Sequence, residues 1–419
     1  MLVKFFRYCF YFITVTVLVS GCSGNKAPVF EENRIDENKR FQEKRTSSRG
    51  SLKDFSDNEL ISQKSSSFPP KNVGIILPFD KAYENISKSI INGMTEAYYS
   101  SPRFMANTKL FFYPSNMHSF NQISNRVRKD EIDFLIGPLR KENFSKIMDQ
   151  ISDDINVLNL NISNSKNNRR KGFFRFSLNP EEEARQVAKF ARERGARALV
   201  ITQNSNWGKR ISKAYHEEWN NSDGEILDHI VYEPNEKNFS DIITKALHIN
   251  ESYARKNFIT KLIQKKIKFE ARRRQDIDVI LLATDHNDAR QLIPQLRFHK
   301  AEKLPVFASS RAFAFTQDIS FYKDLDGLYF LDMPLLNNRD YLSDAIIESI
   351  YPRLFAFGHD AMNLITYLDQ MGRNEFLTFP GKTGYLRVNS DGIVVRNLNK
   401  YRIKNGQVKL AEINQRSLQ

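Results

Sequence analysis

Val73-Gly74-Ile75-Ile76-Leu77-Pro78 is the stretch from which the fold is read. An apolar run with no polar alternation, closed by a proline, describes a strand buried on both faces. A helical pattern follows from about Asn85 to Tyr99. Outward from there the same alternation repeats. Leu110 to Tyr113 is a second strand, followed by a helix near Phe120 to Arg128. Asp133 to Ile136 is a third, ended by Gly137-Pro138, with a helix near Asn143 to Ile151, and Asn156 to Leu160 is a fourth. Apolar strands separated by amphipathic helices predict βαβ units and an α/β fold built on a parallel sheet.

The alternation then restarts. Phe173 to Ser177 is a strand, and Asn179-Pro180-Glu181-Glu182-Glu183 opens a helix. Asn179 is placed to cap it, Pro180 fits its first position, and the carboxylates face the positive end of the dipole. Ala198 to Thr202, Ile226 to Tyr232 and Ile277 to Ala283 are further strands, with later ones at Val306, Leu328 and Tyr385. A basic helix is expected from about Glu251 to Arg274, its triple arginine Arg272 to Arg274 forming a solvated face. Two successive α/β segments predict two lobes: 71–176 with 307–378, and 177–306 with 379–419. Residues 22–70 read as a flexible tether. They are rich in Lys, Glu, Asn, Arg and Ser, and bury too little apolar surface to offset the entropy of ordering.

The N-terminus reads as an export signal over residues 1–21. Lys4 and Arg7 give a positive start, Phe10 to Val19 is nearly all apolar, and the run ends Leu18-Val19-Ser20-Gly21-Cys22. The apolar core is too short to span a bilayer, which takes about 20 residues. The ending resembles the bacterial lipobox, which implies acylation of Cys22. With Ser23 after the cysteine, not aspartate, the resemblance implies the outer membrane, facing the periplasm. Cys9 leaves with the signal, so the mature chain has no free thiol for a disulfide, a nucleophile or a zinc ligand.

The net charge is +14, from 63 basic and 49 acidic residues. Outside the cytoplasm such a balance points to anionic neighbours or simply to solubility. No nucleic-acid recognition motif is present. Enzyme signatures fail on inspection. Gly381-Lys382-Thr383 precedes a strand, where a phosphate loop requires a helix. His216-Glu217-Glu218 lacks the second histidine of a zinc protease. Asp285 in Asp285-His286-Asn287-Asp288 reads as a helix cap more readily than as a metal ligand. Phe357-Gly358-His359-Asp360 reads as a helix start. No catalytic residue, cofactor or metal is expected.

Taken in order, these segments resemble the C-terminal domain of the LpoA/LppC lipoproteins, activators of class A penicillin-binding proteins. The resemblance runs from Ile76-Leu77-Pro78, Asn92-Gly93-Met94 and Phe134-Leu135-Ile136-Gly137-Pro138-Leu139 through Leu158-Asn159-Leu160-Asn161 and Phe176-Ser177-Leu178-Asn179-Pro180. It continues with Trp207-Gly208-Lys209-Arg210, Leu304-Pro305-Val306-Phe307-Ala308-Ser309-Ser310-Arg311 and Asp332-Met333-Pro334. Ala356-Phe357-Gly358-His359-Asp360-Ala361 and Gly381-Lys382-Thr383-Gly384-Tyr385-Leu386 complete it. It implies a type I periplasmic-binding-protein fold, two doubly wound parallel-sheet lobes flanking a cleft. It also implies a non-enzymatic regulator that docks on a bifunctional class A (1A-type) penicillin-binding protein, a peptidoglycan synthase, with peptidoglycan a further contact. Members of the family carry a large helical-repeat domain before this one, and only the tether occupies that place here.

Candidate cleft residues are Asn161, Ser163, Ser309 and Arg311, at strand ends facing the expected crevice; loop capping is the alternative role for each. The competing functional reading is a solute-binding lipoprotein of an ABC transporter, taking an amino acid or a wall peptide.

Overall fold

The computed structural model describes residues 59–60, 68–115, 120–162, 171–315, 320–334 and 351–411. The export signal, Cys22, Ser163 and most of the tether lie outside the described residues. The first lobe opens with β1 (Glu59–Leu60), β2 (Asn72–Leu77), α1 (Glu84–Tyr99), α2 (Pro102–Asn107), β3 (Lys109–Pro114) and α3 (Phe120–Lys129). It continues with β4 (Phe134–Ile136), α4 (Lys141–Met148), β5 (Asn156–Asn159) and β6 (Phe173–Phe176). The chain then crosses to α5 (Pro180–Arg192), β7 (Arg197–Gln203), α6 (Asn206–Asn221), β8 (Glu225–Tyr232), α7 (Phe239–Ala246) and α8 (Ile249–Ile263). Beyond these come β9 (Val279–Ala283), α9 (His286–Phe298), β10 (Val306–Ala308), α10 (Ser320–Lys323) and β11 (Leu328–Asp332). The last part holds α11 (Pro352–Leu364), α12 (Leu368–Arg373), β12 (Leu377–Pro380), β13 (Tyr385–Val388), β14 (Ile393–Asn397), β15 (Asn399–Lys404) and β16 (Gln407–Leu410).

Hydrogen bonding sorts the strands into two sheets, ordered β1-β12-β13-β14-β6-β5-β4-β2-β3 and β16-β15-β11-β10-β9-β7-β8. Strands β2 to β6 pair with one another in parallel, as do β7 to β11, while β11 meets β15 antiparallel. Side-chain alternation gives each sheet two packed faces. In the second lobe Leu199 and Ile201 face one core with Ile280 and Leu282, while Ala198 and Val200 face the other with Val279 and Leu281. In the first, Val73, Ile75 and Leu77 face one core and Ile76 the other. Helices on both faces explain why these strands are apolar runs. Among the described residues no helix is long and apolar enough to cross a membrane.

The sheets correct the division drawn from sequence. Strands β10 and β11 pair with β9 in the second lobe, not the first, and β12 to β14 belong to the first. The return crossings therefore lie after Asp332 and at Leu398, not near 307 and 379. Sequence periodicity identifies a parallel strand but not the sheet it joins, since both sheets ask for the same apolar run. Likewise Glu59 and Leu60, read as tether, pair in parallel with Leu377 and Thr378 as an edge strand.

Helices α1 and α11 pack together across one face of the first lobe. At Gly93 a Cβ would lie 1.9 Å from the Phe355 carbonyl oxygen, and at Gly358 one would lie 2.0 Å from that of Ile90. Only glycine permits so close an approach of two backbones. Phe357 to Asp360, expected to begin a helix, sits inside α11, which starts at Pro352.

Candidate functional site

Between the lobes lies a small fifth core of Met333, Phe355 and Ala356, with Leu178 and Phe315 against it. Met333 and Leu178 flank two of the chain crossings, so this core is the junction itself. Around it the sequence gathers charges that local patterning does not reveal. The Arg353 guanidinium, at the start of α11 in the first lobe, reaches across to Asp332 at the end of β11. Its Nε donates to Oδ1 at 3.1 Å, while Nη2 bonds Oδ2 and also donates to the carbonyls of Ser310 at 3.0 Å and Phe313 at 3.2 Å. The Asp332 side chain is 1% exposed. Burial works against the charge on Arg353, but the Asp332 carboxylate outweighs it and holds the guanidinium pKa above its usual range.

Glu183, in the first turns of α5, accepts a hydrogen bond from the Ser310 backbone N–H. Burial, reinforced by Asp332, raises its pKa. Arg396 on β14 is 6% exposed, and burial pulls its pKa down against the opposing pull of Glu183, Asp332 and Asp360. Gln186 of α5 ties the crossing at 398, donating to the Arg396 carbonyl at 2.7 Å and accepting from Leu398 N–H at 3.1 Å. The three glutamates that open α5 thus have different duties. Glu181 forms a forked pair with Arg210, Nη2 to Oε2 at 2.7 Å; Glu182 lies 3.5 Å from Arg185; Glu183 enters the junction.

The candidate cleft residues stand on loops at the carboxyl ends of the parallel strands, the end at which open α/β sheets bind ligands. On the first lobe, Arg140 bonds Asp80 at 3.0 Å and lies over the Tyr83 ring at 4.7 Å. Asn161 is buried, and its amide donates to the Pro138 and Leu139 carbonyls at 3.1 and 3.2 Å. Its side chain is therefore engaged in pinning one loop to the next. On the second lobe, Ser309 is buried and its hydroxyl has no hydrogen-bond partner among the described residues. Arg311 is exposed, with its guanidinium 4.5 Å from the centre of the Trp207 ring. Ser309 and Arg311 thus share a loop of one lobe, while Asn161 stands on the other.

Asp285 caps α9, accepting from Asn287 N–H at 2.9 Å and Asp288 N–H at 3.1 Å. Asp288 is held by the Tyr232 hydroxyl at 2.9 Å and Gln203 at 3.0 Å, and burial raises its pKa despite those bonds. Gly381-Lys382-Thr383 wraps a carboxylate of its own chain. Asp360, fully buried, accepts from Lys382 N–H at 2.8 Å, Thr383 N–H at 2.7 Å and the Thr383 hydroxyl at 2.6 Å. Among the described residues no group of three His, Cys, Asp or Glu could hold a metal ion. The arrangement joins and braces two lobes.

A family profile described as "LppC putative lipoprotein" matches residues 60–406. The chain belongs to this family. Relatives named penicillin-binding protein activator LpoA include one from Photobacterium profundum, 27% identical over 339 residues, covering 78% of this chain and 55% of that protein. Another, from Aliivibrio fischeri, is 25% identical over 341 residues, covering 79% and 56%. The chain thus spans little more than half the length of these relatives. Among solved structures, the LpoA C-domain from Haemophilus influenzae, "a regulator of PBP1A", superposes with a TM-score of 0.60 at 20% identity, covering 81% of this chain and all of that one. A Rhodospirillum rubrum protein described as "a putative branched-chain amino acid ABC transporter" gives 0.62 at 15% identity, covering 81% and 99%. These likenesses show the type I periplasmic-binding-protein fold.

Proposed function

We propose that this LppC-family chain is an envelope lipoprotein, acylated at Cys22 and seated in the outer membrane on its periplasmic side. It binds a class A penicillin-binding protein and raises peptidoglycan cross-linking, with no bond made or broken by its own side chains. The observation that carries this reading is the family match over residues 60–406, with relatives named for that activity. Between Cys22 and the first sheet-paired residue, Glu59, lie 36 residues, a chain length that reaches at most about 120–130 Å. Activation requires that the lipoprotein bind the synthase's active conformation more tightly than its resting one. A coupling of roughly 1–3 kcal/mol gives about 5- to 150-fold, within reach of an interface of roughly 1,200–2,000 Å².

The test adds purified mature protein to its cognate synthase and measures cross-linking of newly made glycan. A rise that saturates with added protein is expected, and no change in rate at saturation rejects activation. A parallel thermal-shift screen with amino acids and wall peptides separates the solute-binding reading, because a tight ligand raises the melting temperature by mass action.

A further inference from the structure

Helix α8 leaves its apolar side chains uncovered. Of its residues only Ile249 and Ser252 are buried. Phe258 is 69% exposed and Leu262 71%, and Tyr253, Ile259 and Ile263 are exposed as well. Five of the fifteen large apolar side chains exposed among the described residues therefore sit on this one helix. Ala254, Phe258 and Leu262 follow at four-residue spacing and form one outward line, with Ile259 and Ile263 beside it. Left-handed residues bound the helix at both ends, His248 with φ 55° and Gln264 with φ 51°. The chain after it returns along its base, where Arg272 N–H donates to the Ser252 hydroxyl at 3.1 Å and Arg274 N–H to the Leu247 carbonyl at 2.9 Å. Among the described residues the outer surface is left open.

Charge identifies what covers it. Residues 249–274 carry nine Lys or Arg against Glu251 and Glu270, a net +7. Glu270 is itself paired with Lys300 at 3.0 Å. Lys261, Lys265 and Lys266 are exposed around the helix's C-terminal end. A second copy would bring two such basic segments together, which repel. An anionic lipid surface matches both features: the line of Ala254, Phe258 and Leu262 enters the acyl boundary while the exposed basic residues around it, Arg255, Lys261, Lys265 and Lys266, reach the headgroups.

We infer that α8 and the basic turn after it dock on anionic phospholipid, giving the folded body its own membrane contact beside the acyl anchor. The inference does not depend on the activator reading, since vesicles contain no synthase. The probe is the mature chain from Ser23 onward, without acylation, sedimented with vesicles of phosphatidylglycerol and phosphatidylcholine in equal parts or of phosphatidylcholine alone. Binding to the anionic vesicles only, weakened by salt, is the expected result. Phe258→Glu with Leu262→Glu should lower binding by about tenfold or more, since each removes an apolar side chain from the interface. Both side chains are exposed, so an unchanged melting temperature shows that the variant is folded. A second variant, Lys261→Glu with Lys265→Glu and Lys266→Glu, should abolish the preference for anionic lipid. No binding by the unaltered chain at low salt, or equal binding by the variants, overturns the inference. Self-association lost in the Phe258/Leu262 variant, without vesicle binding, overturns it in favour of a second copy.

Discussion

Replacing Arg353 by methionine should unlatch the lobes. Its guanidinium is the partner of a carboxylate that is 1% exposed, and it also satisfies the Ser310 and Phe313 carbonyls across the junction. With the arginine gone, the hydrogen bond left to Asp332 among the described residues is that from the Met333 N–H at 2.8 Å. Breaking a buried pair by removing one member costs about 3–5 kcal/mol, because a charge is left without compensation. Arg353 is 27% exposed, so water can enter its place and the lower end, about 3 kcal/mol, applies. With a urea slope of about 3 kcal/mol/M the midpoint should fall by roughly 1 M. Adding Asp332→Asn removes the stranded charge, and the double variant should recover most of that loss, because a buried pair replaced as a whole costs little. The assay is urea unfolding followed by circular dichroism on the unaltered chain, both single variants and the double one. A midpoint for Arg353→Met within about 0.2 M of the parent, or a double variant no better than the single, refutes the argument that this pair latches the junction.

Gly358→Ala should destabilise by about 1–3 kcal/mol despite alanine's higher helix propensity, because the new Cβ would lie 2.0 Å from the Ile90 carbonyl oxygen and force α1 and α11 apart; thermal unfolding measures it. The Arg274 guanidinium holds the Asp276 carboxyl down to about 2, from an ordinary value of 3.8. A depressed carboxylate pKa contributes stability that is present above the unfolded value and lost as pH falls through the folded one. Asp276→Asn should therefore remove a small increment, under about 1 kcal/mol with the carboxylate 41% exposed, and flatten the stability profile between about pH 4 and 2. Melting temperatures of both forms across that range check the sign. Cys22→Ser should leave the chain unacylated and move it from the membrane to the soluble fraction on cell fractionation, and retention in the membrane would show that the anchor lies elsewhere.

Much of the candidate site was hidden from sequence reasoning. Counting to strand ends proposes Asn161, Ser309 and Arg311 as cleft residues, yet the tertiary structure gives them different surroundings. Asn161 is spent on two loop carbonyls, Ser309 is buried, and Arg311 lies on Trp207. The junction residues Glu183, Asp332, Arg353 and Arg396 carry no periodic signal. Each belongs to a different element, and their partners are separated by tens to hundreds of positions. The triple arginine was expected on a helix face. The helix stops at Ile263, and Arg274 instead forks onto Asp276, with Nη2 at 2.6 Å.

What the sequence determined by itself is the alternation of strands and helices and the caps that start them. Apolar runs, Asn179-Pro180 and Asp285 act over a few residues, through backbone geometry and local hydrogen bonds. What only the tertiary structure decided is which sheet each late strand joins, where the chain returns between the lobes, and which charges meet at the junction. Those outcomes depend on free-energy differences between surfaces distant in the chain, and a parallel strand fits either sheet equally well until its neighbours are in place.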